Sequence, residues 1–155
     1  MKIGIVGFSH EEINHEMAHS LLLQSFHQLT HRNHHDEPIE IVSGLTNIGI
    51  PKIAYQIARE LGFITVGISA ERALHVKCGI YHVDIQIIEG KSFGDESIIF
   101  IDYIDYLIRV GGGKQSHQEV DMFIEKCAQR GINITDALIE HDLLPSTQPE
   151  SRSSF

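Results

Sequence analysis

The sequence predicts one three-layer α/β/α domain built on a doubly wound parallel sheet, and three observations carry that expectation. Short β-branched runs alternate with longer stretches of helical periodicity. The runs are nearly continuous in apolar character, as in strands buried on both faces and joined by crossover helices. Glycine-rich segments directly follow several of them, where an open parallel sheet places its ligands.

Five runs are read as strands: KIGIV at 2–6, IEIV at 39–42, FITVGI at 63–68, VDIQII at 83–88 and YLIRV at 106–110. A helix is expected from about Glu11 to His31, with Ala18, Leu22, Phe26 and Leu29 as one apolar stripe. In the next helix Pro51 suits the first position, Ala54, Ile57, Ala58 and Leu61 face the core, and Gly62 supplies a left-handed stop. Residues 69–82 are weakly patterned, consistent with a short helix or an extended loop. Asp95 is placed to cap a short helix through Ile98, Ile99 and Ile101. A stronger helix follows the fifth strand, with Val120, Phe123, Ile124 and Cys127 on one face and Gly131 at its end. A further short helix is expected around Asp136 to Leu143. The domain is read as residues 1–143, with 144–155 as a polar, flexible tail carrying two prolines.

Twelve basic against 21 acidic residues give a formal charge of −9. That balance supplies no basic stripe for a nucleic-acid backbone. No apolar run approaches the ~20 residues that span a bilayer, and no lipidation motif is visible, so no membrane partner is expected. Cys78 and Cys127 are too few for a disulfide framework, and Met1 leads directly into strand-like sequence rather than a signal peptide. A reducing, cytoplasmic setting is the expectation.

The segments after three strands read GFSH (7–10), SGLTNIGIP (43–51) and GGGKQSHQE (111–119). Glycine lets backbone N–H groups approach an anion without a Cβ clash, and a helix start adds unpaired donors and a positive dipole end. The candidate phosphate-binding residues are therefore Gly7, Ser9, Ser43, Gly44, Thr46, Gly49, Gly111, Gly112, Gly113, Gln115 and Ser116. None of the loops has the G-x-G-x-x-G order or a Walker lysine, so dehydrogenase and P-loop readings fit poorly. The bland alternative is that the glycines serve tight turns and that Ser116 and Glu119 form a capping box.

The stretches SGLTNIGIPKIAYQIARELGFITVGIS and IDYLIRVGGGKQSHQE resemble the LOG-type, or lysine-decarboxylase-like, proteins of the SLOG superfamily, over about residues 2–130. Those proteins share a G-G-G-x-x-G-L-M-G loop and a P-G-G-x-G-T-x-x-E motif. The resemblance implies a Rossmann-like fold, a homodimer, and a bound nucleotide with no further cofactor required. It also implies either cleavage of the N-glycosidic bond of nucleoside 5′-monophosphates or ligand binding without turnover. Gly112 and Gly113 match the motif's two glycines, and Glu119 matches its glutamate, the candidate catalytic carboxylate. Gly111 stands for proline, Gln115 for a third glycine and Ser116 for threonine. Glu96, beside Asp95, stands where the enzymes carry an arginine, a reversal of charge at a substrate-holding position. Arg72 and Lys77 are the nearest cations that could replace it.

His15-Glu16-Met17-Ala18-His19 matches the H-E-x-x-H zinc pattern. Leu22 and Ser25 break its extended form and no third ligand is evident, so a zinc hydrolase is a remote alternative and no metal is assigned. His31, His34 and His35 cluster in a loop expected to be solvated.

Overall fold

The computed structural model describes residues 1–32 and 37–144. Within them lie β1 (Lys2–Gly7), α1 (His15–Thr30), β2 (Glu40–Ser43), α2 (Gly49–Glu60), β3 (Ile64–Ser69), β4 (Ile85–Ile88), α3 (Ser97–Tyr103), β5 (Tyr106–Val110), α4 (Lys114–Gln129), α5 (Ile134–Ala137) and β6 (Leu138–His141). The weakly patterned stretch after β3 holds one 3-10 turn, Glu71–His75, and then a loop. All five expected strands form. His34, His35 and the tail from 145 lie outside the described residues.

The six strands are all parallel, in the order β4-β3-β2-β1-β5-β6. From β1 the chain winds outward through β2, β3 and β4, then returns to the other side of β1 as β5. The reversal lies between β1 and β5, and the crevice of a doubly wound sheet opens at such a point.

Alternation along β1 sorts the two faces of the sheet. Ile3 and Ile5 join a core with Leu22, Phe26 and Leu29 of α1 and Ile53, Tyr55 and Ile57 of α2. Val6 joins the opposite core with Phe100 and Ile101 of α3 and Val120 and Phe123 of α4. Truncating a fully buried phenylalanine such as Phe26 costs about 3–5 kcal/mol, so each face contributes substantially to stability. The α1 stripe is buried as its spacing predicts, and the helix is capped by the Asn14 side chain, which accepts from the Met17 N–H at 3.0 Å.

Three local expectations are corrected. Residues 138–141 form β6, not a helix. This edge strand is only half-buried, so its apolar content looks helical in sequence. Pairing with β5 decides the matter, with Arg109 donating from Nε to Glu140 at 2.9 Å and from Nη2 to Asp142 at 3.0 Å. Asp95 does not cap α3. Its Oδ2 accepts from the Lys91 and Ser92 N–H groups instead, and Glu96 occupies the cap position. Those two backbone bonds hold the Asp95 carboxyl below its ordinary pKa. Pro51 is the third rather than the first residue of α2, which begins at Gly49.

Among the described residues no helix is long and apolar enough to cross a membrane. Gly49 and Gly62 both have left-handed backbone, φ 66° and 75°, but differ in their surroundings. A Cβ at Gly49 would lie 2.3 Å from the Phe8 carbonyl oxygen, whereas one at Gly62 would meet nothing within 4 Å. Gly62→Ala is expected to cost about 1 kcal/mol from the left-handed backbone alone, and Gly49→Ala about 3 kcal/mol or more because backbone must also move. Urea denaturation of the two variants checks the ordering. Equal losses would show that the Phe8 loop is free to give way.

Candidate functional site

A cavity of about 720 Å³ opens at the carboxyl ends of β1, β2 and β3. Its walls come from four places. β1 and its loop supply Gly7, Phe8, Ser9 and His10; the β2 loop supplies Ser43, Gly44 and Thr46; β3 and the loop beyond it supply Ser69, Val76 and Cys78; α3 and α4 supply Phe93, Glu96, Phe100 and the stretch Gly113–Ser116 with Glu119.

Of the candidates named from sequence, Gly7, Ser9, Ser43, Gly44, Thr46, Glu96, Gly113, Gln115, Ser116 and Glu119 line this cavity together. Gly49, Gly111, Gly112, Asp95 and Arg72 do not. The three glycines act behind the wall. Gly49 lets the start of α2 lie against the Phe8–His10 loop, with the Ile50 N–H donating to the Phe8 carbonyl at 2.9 Å. At the start of α2, Pro51, which lines the cavity, has no N–H and the Ile50 N–H is already engaged, so neither offers a ligand a donor. Gly111 and Gly112 have φ 63° and 105°, and a Cβ would strike the Phe8 ring at the first and the Ser116 side chain at the second. Their role is close packing of the β5 loop over β1. Arg72 lies outside, its guanidinium 5.9 Å from the centroid of the Phe93 ring. Lys77 is exposed and is not among the lining residues.

The turn after β2 is held rigidly. Ser43 donates from its hydroxyl to the Ile5 carbonyl at 2.8 Å, and the Leu45 N–H donates to Ser69 Oγ at 2.8 Å. Tyr55, fully buried, donates its hydroxyl to the Gly44 and Val66 carbonyls, both at 2.9 Å. Burial also drives the Tyr55 phenol pKa far upward, so it remains a neutral donor.

On the opposite wall, α4 begins at Lys114 with Gly113 as its cap residue. The first helical hydrogen bond of this end runs from His117 N–H to the Gly113 carbonyl, so the amides of Lys114, Gln115 and Ser116 have no helical acceptor. They stand at the positive end of a 16-residue helix, beside the only lysine or arginine among the lining residues, Lys114. The capping box expected of Ser116 and Glu119 does not form. Ser116 is the third helical residue and its hydroxyl reaches the Gly7 carbonyl at 3.4 Å, while Glu119 lies a further turn into the helix.

Glu119 is therefore free of a capping duty, and its surroundings are unusual for a carboxylate. It is 8% exposed, and Glu96, 7% exposed, lies beside it. Burial first, and then the Glu96 charge, push its pKa up to about 7, although hydrogen bonds with Ser97 and Gln115 act to lower it. Gln115 also donates from Nε2 to Glu96 Oε1 at 3.2 Å, and the Gly94 N–H donates to Glu96 Oε2 at 3.0 Å. The cluster couples α3 to α4 and can hold or release a proton near neutral pH.

His10, Ser69, Cys78, Phe93, Phe100 and Lys114 also line the cavity and were not singled out from sequence. Lys114 carried a legible signal, a cation directly after three glycines; the others arrive from loops, from the far end of a strand or, for Phe100, from α3. His15, Glu16 and His19 are exposed on α1 and are not among the lining residues, and no group of three His, Cys, Asp or Glu among the described residues is arranged to hold a metal. A second cavity, about 800 Å³, lies at the other end of the sheet, with Met1, Arg32, Glu37, Lys126 and Arg130 in its walls. It is away from the strand ends that face the crevice, and Lys126 there is engaged with the Ile101 and Ile104 carbonyls.

The sheet order and the cleft at its point of reversal define a Rossmann-like fold with an open crevice at the strand ends. Solved structures share that architecture. The molybdenum cofactor binding protein of Rippkaea orientalis is similar at a TM-score of 0.66 with 20% identity, over 91% of this chain and 76% of its own. The molybdenum cofactor carrier protein of Chlamydomonas reinhardtii is similar at 0.59 with 20% identity, over 93% and 89%. A structural-genomics target, TM1055, gives 0.62 with 20% identity, over 81% and 69%. No protein-family model and no curated protein matches the sequence.

The raised Glu119 pKa fixes the sign of a stability effect. With a folded pKa of about 7 against an ordinary 4.5, the carboxyl favours the folded state only while protonated, so a penalty grows as pH rises from about 4.5 to 7 and is complete above that. Glu119→Gln removes it. The variant is expected to match the wild type near pH 4 and to be more stable at pH 8, by about 1–3 kcal/mol, in denaturation series at the two pH values. A variant no more stable at pH 8 would show that Glu119 is ionised at no cost.

Proposed function

We propose that this protein binds a phosphorylated heterocycle in the β1–β3 cavity, with the phosphate at the first turn of α4 and the ring deeper along the α3 wall. The observation that carries the proposal is that Lys114, Gln115 and Ser116, whose amides have no helical acceptor, line one cavity together with Gly7, Ser43, Gly44 and Thr46. Two independent lines favour such a ligand. The LOG-type resemblance implies a nucleoside monophosphate, and two structures of the same fold are described as molybdenum cofactor binding and carrier proteins. Both ligands combine a phosphate with a nitrogen heterocycle. The resemblance further supplies a homodimer, and the low cysteine count a cytoplasmic setting, as parts of the proposal; size-exclusion chromatography at a chain mass of 17.4 kDa tests the first.

Binding without turnover is preferred because the lining residues include no arginine and place Glu96 where the LOG enzymes hold their substrate with one. A second reading has one observation in its favour. A buried carboxyl with pKa about 7 is poised for general acid or base work, and Glu119 would then assist cleavage of an N-glycosidic bond.

The two are separated by one set of measurements. A saturating nucleoside monophosphate or molybdenum cofactor is expected to raise the melting temperature by about 5 °C or more, since occupancy at 100 times Kd adds about 2.7 kcal/mol. Lys114→Ala is expected to weaken binding about three- to tenfold, as loss of a charge-assisted contact does. No free base should appear on chromatography. Base release that Glu119→Gln abolishes would establish the hydrolase instead, and no melting shift with any phosphorylated ligand would overturn the binding site.

A further inference from the structure

The chemistry of the α3 wall narrows the ring that this cavity accepts, and the inference rests on the reading of the cavity as the ligand site. Two carboxylates from different elements, Glu96 before α3 and Glu119 in α4, are drawn together at one wall. They are arranged by a shared partner, Gln115, whose side-chain amide faces both. The Gly94 N–H fixes the second oxygen of Glu96. A carboxylate oxygen has two lone pairs, so one such bond on each Glu96 oxygen leaves acceptor capacity over.

Beside this acceptor-rich wall stand two flat apolar surfaces, Phe93 and Phe100. Phe100 is buried in the core beneath, whereas Phe93 is 47% exposed at the cavity. A large aromatic left half in water beside a cavity offers a stacking face for a planar ring. Such a ring would turn its edge to the glutamates. An edge that carries acceptors would oppose the Glu96 lone pairs; one that carries neighbouring N–H donors would pair with both oxygens of a carboxylate at once.

We propose that Glu96, set by Gln115 and Gly94 and backed by Glu119, selects a heterocycle with adjacent N–H donors, the 2-amino-4-oxopyrimidine edge that guanine and pterin rings share, against the acceptor-bearing edge of adenine. The phosphate end of the cavity is indifferent to this choice, so the ring alone sets the preference. Replacing an arginine by Glu96 then changes what the site reads and is not merely a lost contact.

Calorimetric titration of the full chain with GMP, IMP, AMP and ribose 5-phosphate tests this. GMP is expected to bind at least about tenfold more tightly than AMP, with IMP, which lacks the 2-amino group, between them. Glu96→Gln, which keeps the side-chain volume and is checked for a native melting transition, is expected to shrink the GMP-to-AMP ratio to within about threefold. Equal affinity for GMP and AMP in the wild type, a preference for AMP, or a ratio untouched by Glu96→Gln would each overturn the proposal. Ribose 5-phosphate separates the two levels of the argument. If it binds while GMP and AMP are not distinguished, only the ring assignment fails; if none of the four binds, the phosphate site fails with it.

Discussion

The cavity depends on backbone approaching backbone where side chains are missing. Gly7, Gly49, Gly111 and Gly112 let three loops converge over the end of β1. A Cβ at Gly7 would lie 2.3 Å from the Val110 carbonyl oxygen, and one at Gly112 would lie 3.3 Å from Gly7 Cα. These contacts bring the loops of β1, β2 and β5 to one rim, which the parallel order alone would leave apart. The glycines therefore build the site largely from behind. The polar groups left at the cavity are hydroxyls, amides, one lysine, two carboxylates, the His10 imidazole and the Cys78 thiol.

Those carboxylates set the electrostatic character of the far wall. Burying two acids side by side is costly, and the structure lowers the cost in three ways: Gln115 bridges them, Gly94 N–H is committed to one, and Glu119 keeps its proton to about neutral pH. An arrangement that costs stability and has no capping duty suits a site better than a scaffold.

The architecture was legible because its signals are local and repeated. Five strands announced themselves as continuous apolar runs, and the α1 stripe from Ala18 to Leu29 lies buried as spaced. β6 was not legible. Leu138–His141 is an edge strand whose identity depends on Arg109, some thirty residues earlier in the chain, and on a hydrogen bond between His141 and Ser25 of α1 at 2.9 Å. The site was legible by neighbourhood and not by role. Gly44, Gly113 and Glu119 meet as their loops suggested, yet Gly49 and Gly111 proved to be packing residues, which only the nearness of Phe8 reveals. The serine and glutamate of the fourth helix matched a capping pattern in sequence, but the helix begins three residues earlier than that pattern requires.

The dependence on β6 has a temporal side. Arg109 donates from Nη1 to the Gly111 carbonyl at 2.8 Å, and the Gly111 N–H donates to the His141 carbonyl at 2.7 Å. The loop that ends β5 is thus clamped from both sides by residues 140–142, which among the described residues follow every other element in synthesis. During synthesis the sheet can assemble from β1 to β5 while the mouth of the crevice is still loose, and the cavity takes its finished form only when β6 docks.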